Sequence, residues 1–185
     1  MSGELQGRKV AFLAASGVEQ IELTGAWDAV VAVGGVPVLV SPDQDRVQAY
    51  NHDVEAADSF EVDVRIGDAD PRDYDAMVLP GGTTNPDKLR VVPDAVEFVS
   101  AFCTDGRPVA AICHGPWTLV EADVVRGKEL TSWPSLQTDI RNAGGQWCDE
   151  EVVVCARAGW TLVSSRKPQD LPAFTREMVR MFAAG

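Results

Sequence analysis

The sequence predicts an α/β protein, with helices packed on both faces of one mostly parallel sheet. Two observations carry that prediction. Short apolar runs recur along the 185 residues, at 9–14, 36–40, 76–79 and 109–112, as expected of strands buried on both faces. Stretches of helical spacing separate these runs. Strand, helix and strand succeed one another between residues 9 and 40, which is the pattern of a βαβ unit.

Lys9-Val10-Ala11-Phe12-Leu13-Ala14 is the first strand. A helix runs next from about Glu19 to Val33, and Gly34-Gly35 suit its C-terminal cap, where glycine accepts a left-handed backbone. Val36-Pro37-Val38-Leu39-Val40 is the second strand, with proline near its start, where a missing N–H is tolerated. Residues 41–75 are polar and broken, and read as loop with short edge strands. The runs at 76–79 and 109–112 supply two more strands, with Ala95, Val96, Val99 and Phe102 at helical spacing between them. Beyond Pro116 come a short helix, a strand at Leu130-Thr131-Ser132, and a helix over about 135–143 that stops at Gly144-Gly145. Residues 152–155 and 160–164 read as a strand pair around a turn containing Gly159. The last helix is the clearest, with Leu171, Phe174, Met178, Met181 and Phe182 on one stripe, Asp170 as N-cap and Pro172 at its entry.

Composition narrows the function. Lys and Arg number 16 against 28 Asp and Glu, a net charge of −12 with no basic run, so a nucleic-acid partner is not expected. Hydrophobic residues at 45% and charged residues at 24% describe an ordinary globular chain, read as one domain over residues 1–185. No apolar stretch approaches the ~20 residues of a membrane span, and the first residues have neither the basic nor the apolar region of a signal peptide. Nothing points Cys103, Cys113, Cys148 and Cys155 to an oxidising compartment. The expectation is a reduced, cytoplasmic protein that engages no membrane.

Ala111-Ile112-Cys113-His114-Gly115-Pro116-Trp117 is the sharpest motif. A buried strand runs straight into Cys113, and Pro116 suits the first turn of the next helix. A nucleophile on such a strand-to-helix turn is pushed out of the sheet, and a helix N-terminus favours the thiolate. The same pattern also fits a small buried cysteine closing a strand. Leu79-Pro80-Gly81-Gly82 ends another buried strand, where paired glycines can aim backbone N–H groups at a developing oxyanion or simply make a tight turn. Glu19 and Glu22 come just after the first strand, so they belong to the same sheet edge, as a functional pair or as solvated helix-start carboxylates. Trp133 comes just after a predicted strand and is a candidate wall of that pocket or a core residue. His52 sits beside Asp53 without metal-ligand spacing, and no metal site is expected. Cys103 and Cys155 read as packing residues.

The AICHGPW motif, LPGG, Gly17–Leu23 (GVEQIEL) and Asp170–Phe174 (DLPAF) together resemble the ThiJ/PfpI family, within the class I glutamine amidotransferase-like superfamily. The likeness is nearest to its PfpI-type intracellular protease branch and runs from about residue 8 to 182. The resemblance implies a flavodoxin-like three-layer sandwich, a homodimer able to assemble into hexamers, and no cofactor. It assigns the nucleophile to Cys113, the adjacent histidine to His114 and the thiol's hydrogen-bonding glutamate to Glu22, with Glu19 as a second acid nearby. Gly82 and His114 would supply oxyanion-hole amides, with Gly81 in the same loop. Asp87 stands where protease-type members carry an acid that reaches across the dimer to orient the histidine. The activity implied is that of a stress-protection cysteine hydrolase acting on small electrophilic carbonyls or glycated adducts, or on peptides. The alternative is a redox protein whose Cys113 is oxidised without turnover.

Overall fold

The computed structural model describes residues 3–185. From the N-terminus, β1 (Lys9–Leu13) leads through the two-residue β2 (Val18–Glu19) into α1 (Gln20–Ala32). Next come β3 (Val36–Ser41), β4 (Arg46–Asn51), β5 (Glu55–Glu61) and β6 (Val64–Arg65). Then β7 (Ala76–Leu79), α2 (Thr84–Leu89), α3 (Pro93–Thr104) and β8 (Val109–Ile112) lead to α4 (Pro116–Glu121). The chain closes with β9 (Glu129–Leu130), α5 (Gln137–Asn142), β10 (Gln146–Trp147), β11 (Val152–Cys155), β12 (Leu162–Ser165) and α6 (Leu171–Ala184).

Seven strands form the main sheet in the order β11-β12-β8-β7-β1-β3-β6, all parallel except the antiparallel β11–β12 pair. The strand period of two sorts β1 between two cores. Val10 and Phe12 pack with Leu23, Val30, Phe174 and Met178 of α1 and α6. Ala11 and Leu13 pack with Phe98, Phe102, Leu119 and Ile140 of α3, α4 and α5. This is the expected flavodoxin-like sandwich, and it explains why β1 reads as continuously apolar.

Three local expectations need correcting. Residues 41–75 hold the expected short edge strand, β6, but also β4 and β5, which form an antiparallel hairpin that joins β2 in a separate three-stranded sheet. Its strands mix polar and small residues (Arg46–Asn51, Glu55–Glu61), so hydrophobic patterning hides them. The strand at 130–132 shortens to β9, which pairs only with β10 outside the main sheet. Asp170 does not cap α6 with its side chain; its carboxylate accepts from Arg166 Nε at 2.9 Å and Nη2 at 3.2 Å, a charge-assisted pair that outcompetes helix amides.

The neighbouring positions of β8, β7 and β1 position the site. Because these strands are parallel, Cys113, the Gly81-Gly82 loop and the start of α1 emerge at one carboxyl edge. The β4–β5 hairpin adds its turn to that same edge.

Candidate functional site

Cys113 adopts a left-handed backbone, φ 61°, unusual for a residue with a Cβ. Flanking bonds hold it there: its N–H donates to Ser165 O at 3.0 Å, and its carbonyl accepts from Trp133 N at 2.9 Å. Gly115 is required because a Cβ there would collide with the Leu79 carbonyl, the close approach that lets α4 start beside β7. The strand-to-helix elbow is therefore present as the motif predicts.

The elbow turns adjacent residues toward each other. Cys113 Sγ lies 3.4 Å from His114 Nδ1, while His114 Nε2 faces Ser135 Oγ at 3.4 Å. Trp133 stacks on the imidazole, with ring centroids 5.6 Å apart and planes 25° apart. Burial holds His114 below the ordinary histidine range, with the Asp53 charge acting the other way, so the ring is neutral near pH 7 and can accept a proton.

Glu22 comes off the first turn of α1 and is fully buried. Its Oε2 accepts from Gly81 N at 2.9 Å, and its Oε1 has no conventional partner. Its carboxyl lies close enough to the Cys113 thiol for each to shift the other's ionisation. Gly81 fits between them because it lacks a side chain; a Cβ there would sit 2.6 Å from Cys113 Cβ. Burial pushes the Glu22 carboxyl up to about 8, so it carries its proton at neutral pH and can donate it to sulfur.

Burial also holds the Cys113 thiol up, and a charged Glu22 adds to that, while the His114 and Gly82 amides pull it down. The helix dipole does not win in the unliganded protein, because α4 has only six residues and the sulfur is buried. A protonated Glu22 removes the repulsion. Proton sharing between these two groups thus sets the thiolate population. The Gly82 and His114 amides act on the sulfur and have no carbonyl partner among the described residues, as an oxyanion hole requires.

A cleft of about 90 Å³ is lined by Glu19, Glu22, His52, Asp53, Gly82, Cys113, His114, Trp133 and Pro168. Six of the eight residues singled out in the sequence thus meet at one point, and Gly81 stands behind them. Asp87 does not: it is exposed on α2 and contributes nothing to its own chain's cleft. His52 and Asp53, the latter not singled out as a site residue, come from the β4–β5 turn at φ 55° and 64°. Asp53 accepts from Thr83 N at 2.6 Å and Thr83 Oγ1 at 2.9 Å, and His52 N donates to Glu19 Oε1 at 3.2 Å. Asn85 was missed as well. Buried, it donates to the carbonyls of Pro80 and Gly81 at 2.9 and 3.0 Å and accepts from Ala15 N at 2.7 Å, fixing the glycine loop.

Fold and site together define a flavodoxin-like α/β sandwich that presents a cysteine on an elbow between a carboxyl, an imidazole and two free amides. The chain belongs to the DJ-1/PfpI family, which it matches over residues 8–181. It is 37% identical over 173 residues to "Deglycase PH1704" of Pyrococcus horikoshii, covering 94% of this chain and 98% of the relative. It is 45% identical over 126 residues to "Protein/nucleic acid deglycase 2" of Escherichia coli, covering 68% and 71% respectively. A crystal structure from Anabaena variabilis, of a two-domain protein with DJ-1/ThiJ/PfpI-like and ferritin-like domains, superposes with a TM-score of 0.84 at 34% identity. That alignment covers 94% of this chain and 47% of the other. No helix among the described residues is long and apolar enough to cross a membrane, and all four cysteines are free.

Proposed function

We propose that the protein is a cysteine-dependent hydrolase acting on small electrophilic carbonyls and the adducts they form with thiols and amines. The observation that carries this reading is the pairing of Cys113 Sγ with His114 Nδ1 at 3.4 Å inside a cleft of about 90 Å³. In the first step the thiol proton passes to the neutral His114 Nδ1. The sulfur lone pair forms a C–S bond to the carbonyl carbon, and the C=O π pair moves to oxygen. The resulting alkoxide sits against the Gly82 and His114 amides, and protonated Glu22 donates to sulfur whenever it is anionic. A thiol or amine adduct first sheds its carrier, which leaves with the adduct's hydroxyl proton and re-exposes the aldehyde that Cys113 attacks. His114 returns its proton to the alkoxide, the hydrogen on the attacked carbon moves as a proton to the neighbouring carbonyl carbon through an enediol, and a 2-hydroxyacyl thioester results. Water adds to that thioester, the C–S bond breaks, sulfur leaves with a proton as the restored thiol, and a 2-hydroxy acid departs, so the scheme calls on no cofactor. Deglycase names among the relatives support the small-carbonyl reading, and the small cleft weighs against a peptide chain.

In this scheme the protein works as a homodimer in which exposed Asp87 enters the partner's cleft to orient His114. A kinetic screen of α-oxoaldehydes, glycated amino acids and peptides tests the proposal. Turnover of the first two classes that disappears in Cys113→Ala is the expected outcome. No turnover, with stoichiometric peroxide oxidation of Cys113, would replace the hydrolase by the redox reading.

A further inference from the structure

The cleft that holds Cys113 is lined on one side by acids: the carboxylates Glu19 and Asp53 and the protonated carboxyl of Glu22 face it, and neither lysine nor arginine is among its lining residues. These acids are not spent on internal ion pairs. None of the three forms a salt bridge among the described residues. Glu19 is 7% exposed and uses one oxygen, for His52 N, while Glu22 Oε1 is buried with no conventional partner. Asp53 is fixed rather than floppy, because Thr83 holds both of its oxygens. At the mouth, Trp133 is 39% exposed and presents an aromatic surface braced by His114.

Carboxylates with an indole beside them attract a cation and repel an anion, and partial burial strengthens both effects. We infer that this cleft selects carbonyl adducts whose carrier group is cationic, such as an alkylammonium or guanidinium, over adducts on neutral or anionic carriers. The inference rests on the cysteine-dependent chemistry proposed above and names its substrate class. Discrimination comes from repulsion as much as attraction. An anionic carrier would bring its charge against Asp53 and Glu19 in a site with no cation to offset it.

The test uses three methylglyoxal thiohemiacetals with the same reacting atoms and different carriers: thiocholine (cationic), 2-mercaptoethanol (neutral) and 3-mercaptopropionate (anionic), at matched adduct concentration. The expected result is kcat/KM falling in that order, by about tenfold or more from cation to anion. Asp53→Asn should cut the cation-to-anion ratio about threefold or more, because it removes one of the discriminating charges. Glu19→Gln reads the same ratio should Asp53→Asn fail to fold. Glu4→Gln, before β1 and so at the opposite edge of the sheet, should keep the wild-type ratio, which separates the cleft from the net charge of −12. Equal kcat/KM for the three carriers, or a ratio that Glu4→Gln lowers as much as Asp53→Asn, would overturn the inference and leave the hydrolase standing. No turnover of any carrier would sink the hydrolase reading, and the selectivity with it.

Discussion

Cys103 and Cys113 are the same residue at nearly the same burial, 5% and 6% exposed, and burial raises both thiols. On α3, Cys103 packs in the core with Phe98 and Phe102, and its thiol is pushed up to about 12 with only the Lys128 charge opposing. Cys113 stands on an elbow at φ 61° with an imidazole at 3.4 Å, two amides acting on its sulfur and a carboxyl pushed up to about 8. Burial is common to both, so burial cannot be what makes one reactive. The difference lies in neighbours that can take or give a proton.

The most severe test of that contrast is removal of each sulfur in turn. Cys113→Ala should lower turnover on the order of 10³-fold or more while the protein stays folded. Cys103→Ala should keep turnover and lower unfolding free energy by about 1 kcal/mol, read from urea denaturation. Comparable activity losses in the two variants would erase the distinction. Gly81→Ala probes the same contrast without touching either sulfur. Its Cβ would press on Glu22 Oε2 and on Cys113 Cβ, so a stability loss of about 2 kcal/mol should accompany slower iodoacetamide alkylation of Cys113. Unchanged alkylation would show that the Glu22–Cys113 geometry does not govern reactivity.

The elbow was legible because its signals are local. A buried strand, Cys113, Gly115 and Pro116 lie within a few residues, and each constrains the backbone in a way the sequence declares. The strands were legible for a similar reason, since burial on both faces leaves unbroken apolar runs at 10–13, 76–79 and 109–112. Asp53 was not legible, because its role depends on Thr83, 30 residues away, and the strands beside it carry only a weak apolar pattern, Val47 and Ala49 on β4. Asn85 hid in the same way: its three bonds bind Ala15, Pro80 and Gly81, partners that only the finished fold brings together. The low-pKa thiol expected from the helix dipole failed on burial, a quantity that no local motif reports.

The third test asks what the buried carboxyl costs. The folded protein raises Glu22 from an ordinary 4.5 to about 8, so between these values the folded state holds a proton that the unfolded chain has released. Stability from this group is therefore complete below about pH 4.5 and is lost as pH rises toward 8. Glu22→Gln lacks the titration. Its stability relative to wild type should grow across that window, by on the order of a few kcal/mol at most. Parallel stability curves for the two proteins between pH 5 and 8 would mean that Glu22 is not desolvated as its burial implies.

The smallest expected effect is the most specific to the Cys113 side of the comparison. Ionised Glu22 opposes the Cys113 thiolate, whereas a protonated Glu22 that donates to the sulfur would stabilise it, so the two groups titrate as a pair. Glu22→Gln keeps an N–H donor and can never become an anion. The Cys113 titration in that variant should lie at or below the wild-type curve. Glu22→Leu keeps the burial but removes the donor, and should raise the thiol by about one pH unit relative to Glu22→Gln, the equivalent of one hydrogen bond of ~1.4 kcal/mol. Thiolate absorbance against pH reads both variants, with Cys103, Cys148 and Cys155 replaced by alanine so that one thiol is observed. Coincident curves for Glu22→Leu and Glu22→Gln would move control of the thiolate from the carboxyl to the Gly82 and His114 amides, and the elbow alone would then distinguish Cys113 from Cys103.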